Sequence, residues 1–336
     1  MSARHERMGT QDSPTHMPKL IIQIPCLNEA DQLPATLAEL PRHVDGFDTV
    51  EWLVIDDGSS DLTSQVAKDC GVDHVLRLPV HRGLAVAFQS GIDAALKLGA
   101  DVIVNTDADN QYAAGDIPAL AKPVLTGEAD VVVGDRGVLS VEEFSWLKRR
   151  LQHLGSRVVS RASGIDVPDA TSGFRAYNRE AATRLFVHSS FTYTLESLIQ
   201  AGRNGLAVAY VPVHRQAVER PSRLFKSNSH YVRKSIGTIL RLYAFYRPLQ
   251  VFAFMAGILA LGGLLAWMPF IGSWIDGHPG GHVQSIVLGA VLWMAALQML
   301  ATGIVADLIG KQRAVSEKTL ERVRRIEMHS GVPPLP

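Results

Sequence analysis

Asp107-Ala108-Asp109 follows the apolar run Val102-Ile-Val-Asn-Thr106, so two carboxylates one residue apart stand where a strand would end. Hard oxygen donors in that position can hold a divalent cation, and a cation held there would neutralise a diphosphate as it leaves. Taken alone, the same triplet also makes an ordinary solvated turn, and its neighbours have to decide between the two readings. An EF-hand is excluded: counting from Asp107, the sixth position is Tyr112 rather than Gly and the twelfth is Pro118 rather than Glu.

Further acidic groups close other apolar runs, with Glu29 after Ile24-Pro-Cys-Leu-Asn and Asp56-Asp57-Gly58 after Val50–Ile55. The second group has two compatible uses. Its carboxylates can accept ligand hydrogen bonds in a fixed plane, and the same residues can shape a strand-to-helix turn capped by Ser60 or Asp61. The cations fall later in the chain, at Arg136, at Arg149 with His153 four residues on, and in Arg220-Pro-Ser-Arg223-Leu-Phe-Lys226. Arg149 and His153 share one face if the segment is helical. A basic solvated helix is the plain alternative for Lys148–Arg150.

These residues need elements to bring them together. β-rich runs at 20–25, 50–56, 102–106 and 130–133 alternate with helical patterns at 33–40, 62–70, 83–98 and 117–125, which predicts an α/β fold around a parallel sheet. The strands are continuous apolar runs, as expected when helices cover both faces. Ligands of such sheets bind beyond the carboxyl ends of the strands, where Glu29, Asp56, Asp57, Asp107 and Asp109 all fall. Beyond Asp135 the reading is a basic helix over 144–162, a loop carrying Asp169-Ala-Thr-Ser-Gly-Phe-Arg175, two more helices and a strand at 206–211. This half is expected to cover the acceptor side of the crevice.

A chain of 336 residues that is 47% hydrophobic exceeds one core, and the surplus is apolar helix. Val251–Phe270 and Val283–Ile309 are each nearly free of charge, and about 20 residues span the roughly 30 Å hydrocarbon layer. Their connector lacks Lys and Arg, whereas Arg241 and Arg247 precede the pair and Lys311 and Arg313 follow it, so both ends are predicted to be cytoplasmic. The formal net charge of zero conceals this gathering of cations beside the hairpin. Apolar residues recur at helical spacing over Tyr231–Tyr246, predicting an interfacial helix within 227–250. Residues 1–18 read as a disordered tail without the apolar core of a signal peptide. Residues 310–336 read as a basic cytosolic tail. Cys26 and Cys70 are too few for a disulfide framework or a thiolate cage.

With Ile24-Pro-Cys-Leu-Asn-Glu29, Val54-Ile-Asp-Asp-Gly-Ser-Ser-Asp61, His81-Arg-Gly-Leu-Ala-Val-Ala87, Asp107-Ala-Asp-Asn-Gln111, Gly134-Asp-Arg136 and Thr171-Ser-Gly-Phe174 in this order, the chain resembles the family-2 glycosyltransferases of the GT-A (Rossmann-like) fold. Within them it resembles the polyisoprenyl-phosphate glycosyltransferases, the group of dolichyl-phosphate mannose synthases and bacterial undecaprenyl-phosphate sugar transferases. The matching segment runs from about Leu20 to Lys226, inside an expected cytosolic domain of 19–226 followed by a transmembrane hairpin over 251–309. The resemblance implies a membrane enzyme, multi-pass in the inner or plasma membrane, that moves a sugar from a nucleotide-diphosphate sugar to undecaprenyl or dolichyl phosphate.

Carried over residue by residue, the resemblance implies a donor site of Pro25, Leu27, Glu29, Asp56, Asp57, Gly83, Ala108 and Arg223. It implies a metal site of Asp107, Asp109 and Gln111 for Mg²⁺ or Mn²⁺, and Arg136 beside the two aspartates as catalytic. For the acceptor phosphate it implies Arg136, Arg149, His153, Ser172 and Arg220, with His153 standing where members often carry Ser. Glu196 falls where related transferases place an acid near the acceptor, with a plain salt bridge as the other reading. Membrane lipids are expected partners and nucleic acid is not; family members with such hairpins can assemble into tetramers, so the resemblance leaves a homo-oligomer open. A processive polysaccharide synthase is disfavoured by the missing Gln-x-x-Arg-Trp motif, and a dinucleotide oxidoreductase by the missing Gly-x-Gly-x-x-Gly. A catalytically silent membrane scaffold is disfavoured by the intact carboxylates.

Overall fold

Alternating side chains on apolar strands have to be buried on both faces, and helices on either side of one sheet accomplish this. The computed structural model of the chain describes residues 18–137, 156, 157, 159–161, 163–187, 193–214, 244–277 and 282–334. Seven strands form one sheet: β1 (Lys19–Cys26), β2 (Thr49–Asp56), β3 (His74–Arg77), β4 (Val102–Asn105), β5 (Val131–Asp135), β6 (Arg175–Asn178) and β7 (Val208–Pro212). Their order is β3-β2-β1-β4-β6-β5-β7. One core layer holds Ile21, Ile55, Ile103 and Val133 against α3 (Leu84–Lys97), together with α5 (Arg179–Arg184) and α6 (Thr194–Arg203). The opposite layer holds Ile22, Val54, Val104 and Val132 against α1 (Leu33–Glu39) and α4 (Ile117–Leu125), with α2 (Thr63–Asp69) on the same face.

The alternation read from the sequence holds, with one correction to the parallel sheet. β6 runs antiparallel between β4 and β5, pairing Asn105 with Arg175 on one side and Val133 with Arg175 on the other. The reversal matters because it brings the start of β6, and the loop 169–174 before it, to the edge where β1, β2, β4 and β5 end. β1 lies between β2 and β4, so the chain order reverses there and opens a crevice at the carboxyl ends.

Two C-terminal helices, α7 (Pro248–Ile275) and α8 (Val283–His329), are long and apolar enough to cross a membrane. They pack along a seam of small residues seven apart, Ala256 and Gly263 on α7 and Gly289, Ala296 and Gly303 on α8, which allows close backbone approach. A Cβ on Gly263 would come 2.7 Å from Trp293, and one on Gly303 2.7 Å from Phe252. Most other large apolar side chains of the pair are exposed. At 47 residues α8 is about 70 Å long, over twice the hydrocarbon thickness. The segment read as a basic tail is therefore mostly helix, and it returns to the α/β domain: Arg324 bonds Asp93 of α3 at 2.6 Å and Arg325 bonds Glu180 of α5 at 2.7 Å. Of the expected interfacial helix over Tyr231–Tyr246, only Ala244–Tyr246 lies within the described residues.

Candidate active site

Asp107 and Asp109 stand just past β4, and three neighbours hold the turn. Thr36 of α1 donates to the Ala108 carbonyl at 2.8 Å, Asn110 adopts a left-handed conformation (φ 56°), and its side chain donates to Glu39 at 2.9 Å. Gln111 donates through Nε2 to Asp109 Oδ2 at 2.7 Å, so it orients that carboxylate. The Asp107 carboxylate accepts no hydrogen bond from any described residue. Across from it lies Gly173, where a Cβ would come 3.1 and 3.2 Å from the two Asp107 oxygens and 2.7 Å from the Tyr193 hydroxyl. Only glycine lets the loop approach this closely. Burial and then the Asp109 charge push Asp107 up to about 7, opposed by the charges of Arg136 and Arg175.

A carboxylate with no hydrogen-bond partner among the described residues, beside a second one, is a donor set that a hard cation fits and would relieve. Among the described residues no group of three or more His, Cys, Asp or Glu side chains gathers as a cage. Two carboxylates suit a cation whose remaining ligands come from water and substrate phosphates rather than an all-protein site.

On the other side of β1, the acidic pair at the end of β2 is occupied in shaping the crevice wall. Asp56, fully buried, accepts from the Ser59 amide at 2.8 Å and from the Ser64 hydroxyl. Asp57 accepts from the Arg82 amide, the Gly83 amide and His81 Nδ1 at 2.8, 2.8 and 2.7 Å, and so fastens the His81-Arg82-Gly83 loop that opens α3. Gly58 sits under that loop at φ 70°, and a Cβ there would strike the His81 amide at 2.5 Å. The side chain of Asn28 (φ 53°) accepts from the Ser60 amide at 2.8 Å, and the Glu29 amide donates to the Thr63 hydroxyl at 3.0 Å. Pro25 is buried, whereas Leu27 and Glu29 are partly exposed at the rim. The turn reading of Asp56 and Asp57 is thus realised in full, and any ligand contact adds to it.

Arg136, past the end of β5, is held as a fork. Its Nε and Nη2 donate to the two oxygens of Asp169 at 2.8 and 3.0 Å, and Nη2 also reaches Thr171 at 2.6 Å. Burial opposes the charge on Asp169, but the bonds from Arg136 outweigh it and hold the carboxyl below its usual range. Nη1 of Arg136 has no partner among the described residues, on a side chain whose charge reaches Asp107 and Tyr112. Ser172 is fully buried in the same loop, its amide on Asp169 at 3.2 Å.

A model of glycosyl transferase family 2 matches residues 21–186. The dolichyl-phosphate hexose transferase of Haloferax volcanii is 31% identical over 186 residues, 55% of this chain and 78% of that one. The chain belongs to glycosyl transferase family 2. Another relative of this glycosyltransferase is the polyprenol monophosphomannose synthase of Mycolicibacterium smegmatis, 27% identical over 69% of this chain and 90% of that one. The crystal structure of glucosyl-3-phosphoglycerate synthase from Mycobacterium tuberculosis with Mn²⁺ and UDP-glucose superposes with a TM-score of 0.50 at 26% identity, covering 67% of this chain and 78% of that chain. The fold of the glycosyltransferase is GT-A.

Asp107, Ala108, Asp109, Gln111, Arg136 and Ser172 are gathered at one end of the sheet, with Pro25, Leu27, Glu29, Asp56, Asp57 and Gly83 along the neighbouring wall. Arg149, His153, Arg220 and Arg223 lie outside the described residues. Sequence reasoning did not single out Asn105, Asp169, Tyr193 or Arg175 as site residues. Asn105 donates to the Gly173 carbonyl at 2.8 Å and to the Tyr193 hydroxyl at 2.9 Å while accepting from Gln23. Arg175, fully buried, spans Ser172, Ala170, Thr194 and Ser197 with bonds of 2.6 to 3.1 Å. Both carry a visible signal, a polar residue closing or opening an apolar strand. Glu196 does not face the crevice as a free acid, since Arg313 of α8 donates to it at 2.8 Å.

Proposed function

We propose that this glycosyltransferase moves a sugar from a nucleotide-diphosphate sugar to a polyprenyl phosphate at a membrane surface, with inversion at the anomeric carbon. The observation that carries the lipid acceptor is the pair of exposed apolar helices, α7 and α8, the second of which pairs with the α/β domain through Arg324 and Arg325, in a chain similar to a polyprenol monophosphomannose synthase. Asp107 and Asp109 would hold Mg²⁺ or Mn²⁺, which when bound would neutralise the departing nucleotide diphosphate. Arg136, kept in one orientation by Asp169, would direct its Nη1 edge, which has no partner among the described residues, to the acceptor phosphate. A phosphate oxygen then forms the bond to the anomeric carbon as the bond to the diphosphate breaks, and the leaving electron pair stays on the diphosphate. No proton has to move, because a phosphate monoester with a second pKa near 6 is largely dianionic at pH 7. That agrees with Glu196 being engaged elsewhere. Asp57 would hold the 81–83 loop as part of the donor wall.

The hairpin is proposed to cross the membrane with both ends on the cytoplasmic side, since Arg247 and Lys311 flank it and the connector 276–282 lacks Lys and Arg. The test is to incubate membranes carrying the protein with a panel of nucleotide sugars and undecaprenyl or dolichyl phosphate, and to identify the lipid product by mass spectrometry. A polyprenyl-phosphate sugar is expected, lost on chelation. Transfer to a non-lipid acceptor only would refute the reading.

A further inference from the structure

Glu196, in the first turn of α6, is 2% exposed, a rare place for a carboxylate unless it is paired. Its Oε1 accepts from Arg313 Nη2 at 2.8 Å and from the Tyr246 hydroxyl at 3.3 Å. Tyr246 lies two residues before α7, and Arg313 lies in α8 four residues after the apolar stretch ends at Ile309. The cytoplasmic-side ends of both hairpin helices therefore converge on one side chain of the catalytic domain. The grip is reinforced on each side. The Arg313 guanidinium lies 4.3 Å from the Phe245 ring and bonds Glu317 at 3.0 Å. Arg203, at the far end of α6, donates to the Tyr246 carbonyl at 2.9 Å and lies over its ring at 5.1 Å.

From Glu196 the path to the site is short. Tyr193, three residues earlier, stacks on Phe88 at 3.9 Å, and its hydroxyl meets Asn105 and the Gly173 carbonyl beside Asp107. The Thr194 carbonyl at the start of α6 accepts from Arg175 at 2.7 Å. Further along α8, Arg324 donates to the carbonyls of Ala182, Thr183 and Leu185 that end α5. A buried ion pair adds little net stability over apolar residues of similar shape, so its distinctive contribution is geometric.

We propose that Arg313, Glu196 and Tyr246 are positioning residues that fix the height and tilt of the catalytic mouth relative to the hairpin. Through α6 they set the Tyr193 and Gly173 wall of the site where a phosphate carried by a lipid can meet the donor in line. This rests on the lipid-acceptor reading above. A freely diffusing acceptor does not need this alignment, whereas one confined to a bilayer does.

The test uses the full chain in lipid nanodiscs, with the single substitution Arg313→Lys and the double variant R313M/E196Q, which removes both charges together. Turnover is compared on undecaprenyl phosphate in the disc and on geranyl phosphate added from solution, and hydrogen exchange is followed over residues 193–203. In the double variant kcat on undecaprenyl phosphate is expected to fall on the order of tenfold to a hundredfold. Turnover on geranyl phosphate is expected to fall much less, KM for the nucleotide sugar to stay near wild type, exchange over 193–203 to rise, and Arg313→Lys to recover part of the loss. Equal losses on both acceptors, or unchanged turnover on undecaprenyl phosphate, would overturn the proposal. Should the double variant not fold, Tyr246→Phe, which keeps the ring, is expected to move the same ratio in the same direction, and an unchanged ratio counts against the proposal. Absence of wild-type turnover on any polyprenyl phosphate would refute the lipid reading instead. Unchanged exchange over 193–203 in the variants would then still overturn the grip.

Discussion

Replacing Asp107 with Asn keeps size and removes a charge that has no hydrogen-bond partner among the described residues, so activity and stability are expected to move in opposite directions. Turnover of D107N should fall by about two to three orders of magnitude. Its melting temperature in chelator should equal or exceed that of the wild type, because a poorly solvated like-charge contact with Asp109 has been relieved. Calorimetry beside a steady-state assay checks both signs, and a D107N protein as active as wild type in chelator would remove the metal assignment. Asp169→Asn leaves Arg136 buried without its fork and should cost about 2–4 kcal/mol at pH 7. The sign of the pH dependence follows from the lowered Asp169 pKa: its stabilisation is fully present above the unfolded carboxyl value near 4 and is lost as pH falls through the lower folded value. Urea titrations should therefore show the two proteins converging in strongly acidic buffer.

At the scale of elements, the loop entering the short antiparallel strand β6 presents Gly173 to Asp107, and Asn105 on β4 bonds the Gly173 carbonyl. Asn105→Ala removes bonds to Gly173, Tyr193 and Gln23 in a fully buried setting, and a loss of about 2–3 kcal/mol is expected. The same change should weaken turnover more than nucleotide affinity, since the wall that moves is not part of the loops proposed to hold the donor. Binding of nucleotide by titration calorimetry, set beside kcat, checks the split. Within the hairpin, Gly263 and Gly289 face the Trp293 and Trp267 rings, so Gly263→Leu would push α7 and α8 apart. A lowered melting temperature in detergent is expected, with Leu264→Ala, on an exposed position, as the nearly silent control.

At the scale of the whole molecule, α8 is both part of the apolar pair and a brace laid over α3, α5 and α6. Removing the chain from Pro248 onward would therefore strip more than an anchor. It would uncover Asp93, Glu180 and the carbonyls at the end of α5, all of which now pair with Arg324 or Arg325. The truncated domain is expected to melt below the full chain, and a short soluble prenyl phosphate should rescue its turnover only in part. Arg324→Met in the full chain isolates the brace: about 2–3 kcal/mol of stability should be lost while the apolar pair stays intact. Thermal unfolding followed at α/β-domain probes distinguishes this from loosening of the hairpin.

Local patterns determined a great deal by themselves. Apolar runs ending in Asp57, Asp107 and Arg136 announce strands whose ends must meet, because a parallel sheet aligns carboxyl ends at one edge. Uncharged stretches of membrane length announce α7 and α8, since their composition leaves water no favourable contact. What only the tertiary structure decided are the pairings between residues far apart in the chain. β4 is as short as β3 and β6 but is an apolar run, whereas β3 (His74-Val-Leu-Arg77) and β6 (Arg175-Ala-Tyr-Asn178) set only two apolar residues between polar ends, and β6 owes its place to partners on both sides. Asp169 lies 33 residues from Arg136, and Glu196 lies 117 residues from Arg313. No spacing rule links such charges. They become partners because the sheet order and the return of a long helix bring them within hydrogen-bond reach in a buried setting, where leaving a charge unpaired is costly.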